Sequence, residues 1–376
     1  MSYNKESDKL HEQKRGKIRI KPTVNITSKR DLSNVYSPGV SSPSQHIAEN
    51  PEDVYKYTSK KRNVAIVTDG TAVLGLGNIG SEASIPVMEG KAALFKQFAN
   101  IDGYPLPVNT DSVEQFVTVA KAITPYFNGI NLEDIRAPEC FTILKELKDI
   151  DIPVFHDDQH GTAIIVLTGL LNALELTNRT KETNVVINGA GAAGIATAHI
   201  LHEAGFTDIT VLDSKGIVST QREDMNKYKV EIAKKIQSHK KGSLEDVLGN
   251  AAVFIGVSVG NILDKTHVKL MEDNPIIFAL ANPTPEIDPM VAEEAGASII
   301  ATGRSDYPNQ INNAVVFPGL FNGLIEAGKK NVTYTDMIRV AEALRDIEEV
   351  TPQNIIPSIL NEDVVPAVTK VFTEKA

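Results

Sequence analysis

The run Asn184-Val185-Val186-Ile187-Asn188 leads straight into Gly189-Ala190-Gly191-Ala192-Ala193-Gly194, and a helical pattern follows. A G-x-G-x-x-G turn between a strand and a helix commits this part of the chain to a βαβ unit in a parallel sheet. Gly189 makes the tight turn, Gly191 lets a pyrophosphate approach the backbone, and Gly194 permits close helix packing. Asp213 stands 19 positions after Gly194, at the end of the next apolar run, DITVL (208–212). A carboxylate there is placed to bond ribose hydroxyls, so the segment reads as a dinucleotide site. The bland alternative is a glycine turn that binds nothing; the strand, the helix and Asp213 together argue against it. Asp213 favours NAD, because a carboxylate repels the 2′-phosphate of NADP. Lys215 follows closely and could pair with a phosphate, which leaves NADP open.

Short apolar runs alternate with helical patterns along the rest of the chain. Strands are expected at 63–68, 129–132, 153–155, 184–187, 208–212, 252–257, 276–279 and 298–301. Helices are expected from Pro86 to Phe98, where the proline marks the entry, and at 111–125, 140–147 and 162–176. Residues 17–26 favour β structure. This alternation predicts an α/β protein. The expected division is an N-terminal α/β substrate and metal domain (1–160) and a C-terminal Rossmann-type, doubly wound parallel sheet with trailing helices (161–376). A second G-x-G-x-x-G match, Gly75 to Gly80, lacks a comparable strand-end carboxylate, since Asp102 lies in the turn-like stretch Asn100 to Gly103. It reads as a flexible loop near the substrate.

The net charge of −10 argues against nucleic acid or an anionic membrane as the main partner. The longest apolar stretch, Thr162 to Leu176, is shorter than the roughly 20 residues that span a bilayer, and it reads as a buried helix. The N-terminal residues are charged, without the apolar core of a secretory signal. Cys140 is the only cysteine, so an intrachain disulfide is impossible. The cytoplasm is the expected setting.

Two acidic pairs end short strands: Glu133-Asp134 and Asp157-Asp158. Oxygen ligands suit hard cations such as Mg²⁺ and Mn²⁺. Adjacent carboxylates normally point apart, so three of the four can meet at one ion. The alternative is a set of solvated loop carboxylates or helix N-caps. His156 and His160 lack an HExxH frame and read as structural residues or as supports of nearby ligands. Lys91, on a mainly apolar helix, is either a snorkelling lysine or a desolvated one whose lowered pKa suits it to take a proton. Tyr36, in the turn Tyr36-Ser37-Pro38-Gly39, is either a packed tyrosine or a functional one.

Taken together, the ordered segments VYSPGV (35–40), VTDGTAVLGLGNIG (67–80), PVMEGKAALF (86–95), INLEDI (130–135), FHDDQHGTA (155–163), NGAGAAG (188–194), ALANPTPE (279–286) and INNAVVFPG (311–319) resemble the malic enzyme family in its short bacterial form. The resemblance implies oxidation of malate by NAD, or NADP, with decarboxylation to pyruvate, aided by Mg²⁺ or Mn²⁺. It implies Tyr36 as general acid, Lys91 as general base, Asp157 as the carboxylate that tunes Lys91, and Glu133, Asp134 and Asp158 as metal ligands. Thr162, Gly189, Gly191, Ala192, Ala193, Gly194 and Asp213 would hold the dinucleotide. Asn282 and Asn313 would touch both substrate and nicotinamide, and Gly75 the substrate. A homodimer or higher homo-oligomer is implied as well. One departure stands out. Larger relatives carry a substrate-gripping arginine just after the TDG segment, where this chain has Thr71-Ala72-Val73. Arg304 or the amides of the Gly75 to Gly80 loop are the candidate replacements. Rival readings are an oxaloacetate decarboxylase, a malolactic enzyme, an amino-acid dehydrogenase without metal, and a non-catalytic dinucleotide sensor.

Overall fold

The computed structural model describes residues 3–374, so residues 1–2 of the expected first domain and 375–376 of the expected second lie outside the described residues. Two parallel sheets organise the chain. The first contains β1 (Asn63–Thr68), β2 (Asp102–Pro107), β3 (Ile130–Leu132) and β4 (Val154–His156), in the order β2-β1-β3-β4. The second contains β5 (Val185–Asn188), β6 (Ile209–Asp213), β7 (Gly216–Ile217), β8 (Val253–Gly256), β9 (Ile276–Ala279) and β10 (Ile299–Thr302). Its order is β10-β9-β8-β5-β6-β7, with only the short β7 antiparallel. Every residue of β1, β3, β5, β8 and β9 is buried. That burial explains why these strands are predominantly apolar: helices cover both faces of a parallel sheet.

In each sheet the chain leaves its first strand to one side and then crosses to the other. The crossover places a crevice between the carboxyl ends of β1 and β3, and a second between those of β5 and β8. Ligands of open α/β sheets bind at such switch points. The α/β class and the Rossmann-type second sheet stand as expected.

Several elements differ from expectation. Asp102 opens β2 rather than lying in a turn. Gly103, Pro105 and Pro107 hid this strand, and prolines are tolerated there because β2 is an edge strand with one neighbour. The helix expected to start at Pro86 spans Gly80–Ala99, with Pro86 inside it. Proline removes one ladder bond but does not end a helix whose flanking turns are packed. Residues 17–26 form no strand, and Ile20, Val24 and Ile26 are exposed.

The two halves share one core. Phe317 and Phe321, from the helix Phe317–Ala327, pack on Phe95 with ring centroids 4.6 and 5.4 Å away. The last helix, Val364–Thr373, closes on Gly319 and Gly323, where an added Cβ would meet Val368 and Phe372 at 2.7 Å. The end of the chain therefore folds back over the first sheet.

Candidate active site

The acidic pairs leave β3 and β4 at the first switch point. One oxygen from each of Glu133, Asp134 and Asp158 lies within 4.8 Å of the others. Adjacent Glu133 and Asp134 reach one place because Asp134 adopts φ +54°, a left-handed conformation uncommon outside glycine. Asp158 Oδ2 accepts the Asp134 amide at 2.7 Å, which locks the two turns together.

Asp157 points the other way, and a short turn of π-helix over Asp157–Gly161 sets that direction. Its Oδ2 accepts from Lys91. A Cβ on Gly161 would stand 1.8 Å from Asp157 Oδ1, so only glycine leaves room for that carboxylate. The sequence showed Gly161 as no more than the end of a motif; its steric role appears once the turn is built.

Lys91 is 7% exposed, and its Nζ lies 2.8 Å from Glu133 and 4.1 Å from the centre of the Phe317 ring. The burial matches expectation, but the direction of the pKa shift does not. Burial acts to lower the ammonium pKa, yet Asp157 and Glu133 outweigh it and hold Lys91 charged, above its ordinary value. Two anions beside one cation decide the sign.

Four carboxylates face this one ammonium. Burial pushes the Asp134 carboxyl up to about 9, with repulsion from Asp158 and Glu133 adding to it. Burial raises Glu133 to about 7 even against the pull of Lys91. It raises Asp157 to about 7 and Asp158 to about 6. Asp134 Oδ2 is buried without a hydrogen-bond partner. An orphaned carboxylate oxygen, hard oxygen donors and excess negative charge together fit a divalent cation. His156 and His160 do not join this group. His156 is fully buried and held neutral, with burial pushing its pKa down to about 3, and its Nδ1 stands 3.7 Å from Asp158. The Phe155 and Tyr334 rings flank His160.

The glycine turn after β5 fits a pyrophosphate. Gly189 has φ +126°, and a Cβ on Gly194 would meet Gly189 O at 1.7 Å. A Cβ on Gly191 meets nothing within 4 Å, so the turn is open on the side where a phosphate approaches. Ala192 and Ala193 begin the helix Ala192–Glu203, with their amides at its N-terminus. Asp213 is the last residue of β6. Thr162 opens the buried helix Thr162–Leu176 directly after the Asp157–Gly161 turn.

Loops from the two sheets meet around these groups. A Cβ on Gly75 would lie 3.3 Å from the Asn282 carbonyl, and one on Gly161 would lie 3.2 Å from Asn313 Cβ. The Gly75 loop thus borders the loop after β9, and Asn313 borders the Asp157 turn. Arg304 is already engaged, bonding Asp306 through Nε and Nη2 and Pro283 O through Nη1. Tyr36 is not gathered in: it is 71% exposed, in the segment after the short helix Lys29–Val35. Sequence reasoning missed Phe317, Asn131, which bonds Glu133 at 2.9 Å, and the partners of Asp213. No local pattern marks residues that meet only through the fold.

Comparison with known proteins shows the family. Residues 14–113 match the malic enzyme N-terminal domain, and residues 159–372 match the malic enzyme NAD binding domain. The chain is 49% identical to the bifunctional malic/malolactic enzyme of Bacillus subtilis, over 100% of this chain and 93% of that one. It is 43% identical to the NADP-dependent malic enzyme of Halomonas elongata, over 91% and 82% of the two chains. The crystal structure of the NAD-dependent malic enzyme of Thermotoga maritima superposes with a TM-score of 0.94, at 44% identity, over 98% of this chain and 99% of that one. With both of its halves matched, the chain belongs to the malic enzyme family.

Proposed function

We propose that this protein oxidises malate with a nicotinamide dinucleotide and decarboxylates the product to pyruvate and CO₂. The observation that carries this reading is the meeting of Lys91, Glu133, Asp134 and Asp158 at one switch point, bordered by loops of the dinucleotide half. We take the division of labour to fall near residue 160, with substrate and metal groups before it and the dinucleotide turn after it.

Glu133, Asp134 and Asp158 would hold Mg²⁺ or Mn²⁺, which supplies Lewis-acid polarisation of the malate C2 oxygen. Lys91 takes the proton of the C2 hydroxyl. In its ground state Lys91 is an ammonium, so it must first pass one proton along its hydrogen bond to Asp157, which would be easier once the charge of Glu133 was committed to a divalent ion. Asp157 remains to orient the amine. Gly189, Gly191, Ala192, Ala193 and Gly194 would seat the dinucleotide, which would supply the acceptor for the C2 hydride. Thr162, Asn282 and Asn313 border the space between the halves and position substrate and nicotinamide. In place of an arginine, the amides of Gly75 and Asn78, which take no part in the loop's internal bonds among the described residues, receive the distal carboxylate. Tyr36 protonates C3 after CO₂ leaves, so the hydroxyl proton and the C3 proton balance over the cycle.

Tyr36 is 71% exposed and bonds none of these groups through its side chain among the described residues, so we infer that it serves a second copy of the chain. Its segment enters β1 at the strand's amino end, where Ser59, Lys60 and Lys61 bond Tyr126, Thr124 and Asn128. The carboxylates lie at the opposite, carboxyl ends of the strands. The same segment leaves Leu32, Val35 and Val40 exposed, apolar area suited to a partner. We read the protein as a homodimer in which Tyr36 of each copy serves the other's Lys91. Mixing and reassorting inactive Tyr36→Phe and Lys91→Ala proteins should restore roughly a quarter of wild-type turnover, since half the dimers are hybrids with one intact site each. A mixture that stays inactive while subunits exchange refutes the shared site.

No helix among the described residues is long and apolar enough to cross a membrane. The buried, unpaired Cys140 fits a cytoplasmic setting. The decisive assay follows absorbance at 340 nm with malate, NAD or NADP, and Mn²⁺. Accumulating reduced cofactor with stoichiometric pyruvate supports the reading. Lactate without net reduction would indicate the malolactic course, the second activity named for the Bacillus subtilis relative.

A further inference from the structure

Where a strand-end carboxylate selects NAD, its oxygens face the ribose diol. In this chain the Asp213 oxygens are already engaged. Oδ1 accepts from Arg222 Nη1 at 2.8 Å and from the Lys215 amide at 2.9 Å. Oδ2 accepts from Lys229 Nζ at 2.6 Å and from Arg222 Nη2 at 3.3 Å. Burial acts to raise the Asp213 pKa, but the bonds from Arg222 and Lys229 prevail and hold it at about 2.

The cations are held by the fold. Arg222 Nη1 also donates to the carbonyls of Gly216 and Ile217, both at 3.2 Å, and its side chain is only 13% exposed. Lys229 lies in the first turn of the helix Lys227–Lys235, where Asn226 Oδ1 accepts the Tyr228 and Lys229 amides. Lys215 pairs with Asp224 at 2.9 Å, and Asp224 also accepts from Arg222. Three cations therefore surround two carboxylates. The patch at the end of β6 is net positive, although its defining residue is acidic.

We propose that Arg222 and Lys229 are specificity-determining residues that neutralise Asp213, so that the adenosine end accepts a 2′-phosphate as well as a 2′-hydroxyl. The protein then uses NADP as well as NAD. An arriving phosphate takes over the guanidinium fork and the ammonium, both already oriented, in place of the carboxylate. This inference rests on the reading of Gly189 to Gly194 as the dinucleotide turn.

The test is direct binding of NADH and NADPH to the full-length protein, followed by nicotinamide fluorescence. The two dissociation constants should agree within about tenfold. Arg222→Gln and Lys229→Gln should each weaken NADPH by at least about tenfold relative to NADH, and Arg222→Lys should recover part of the loss. Asp213→Asn should shift the ratio further toward NADPH. Tight NADH binding with NADPH weaker by a thousandfold or more overturns the inference while leaving the turn reading intact. An unchanged ratio in both Gln variants overturns it as well. Failure of both nucleotides to bind overturns the turn reading, and the inference with it.

Discussion

Lys91→Ala is expected to lower kcat for malate oxidation by about a thousandfold, within the range set by loss of a positioned acid–base group. NADH affinity should change little, because Lys91 sits at the first switch point and the glycine turn at the second. The substitution also strips Glu133 and Asp157 of their shared counter-ion. Removing one partner of a buried pair costs about 3–5 kcal/mol when the remaining charge persists. These carboxyls can escape by protonation. Both already sit near pH 7 when folded, against about 4 in an unfolded chain, and loss of Lys91 raises them further. A carboxyl that holds its proton better in the native state makes stability fall as pH rises through that window. The variant should therefore melt close to wild type near pH 5 and well below it near pH 8. Wild-type turnover, or a melting deficit independent of pH, would remove Lys91 from its assigned place.

Chelation should have an effect at least as large. Polarisation by a bound divalent ion is worth several kcal/mol of barrier, so exhaustive treatment with EDTA is expected to cut activity by about a thousandfold or more, with recovery on adding Mn²⁺ or Mg²⁺. A structural reading comes with it. Burial and mutual repulsion raise Glu133, Asp134, Asp157 and Asp158 together. The metal-free protein thus loses stability as pH rises from about 4 toward about 9. Mn²⁺ binds the ionised set, so its effect on the melting temperature should be small near pH 5 and large near pH 8. At a hundredfold excess over Kd the added stability is about 2.7 kcal/mol. Full activity after metal stripping, or equal melting shifts at both pH values, would rule out a cation among Glu133, Asp134 and Asp158.

How much of this was legible beforehand follows from which information is local. The strand, glycine turn and helix at 184–203 are contiguous, so their pattern alone announced the second sheet. β1, β8 and β9 were equally plain, since burial on both faces leaves mostly apolar residues. β2 was not, because an edge strand tolerates Gly103, Pro105 and Pro107, which imitate a loop. Pro86 looked like a helix entrance because its preference for that place is strong, whereas packing from residue 80 onward settled the matter. The acidic pairs were visible as pairs, but their convergence depends on the backbone angle at Asp134, which a lone letter D does not disclose. Lys91 was open to two readings, a snorkelling lysine or a desolvated one with a lowered pKa; it is desolvated, but the shift is upward because of Asp157 and Glu133, which are 66 and 42 positions away. Asp213 appeared as a free selector of NAD because Arg222 and Lys229 reach it across 9 and 16 positions.

The return of the helix Phe317–Ala327 over the first sheet bears on how this protein is made. Phe317 lies over the Lys91 ammonium, and Phe321 packs among Phe95 and Phe155. A nascent chain folds from its amino end as it leaves the ribosome. Lys91 therefore emerges long before its aromatic roof, and the helix Val364–Thr373, which braces that roof, emerges later still. The pocket stays unfinished until that helix has been made, and a chain interrupted before Phe317 would hold Glu133, Asp134 and Asp158 but lack the cover over Lys91.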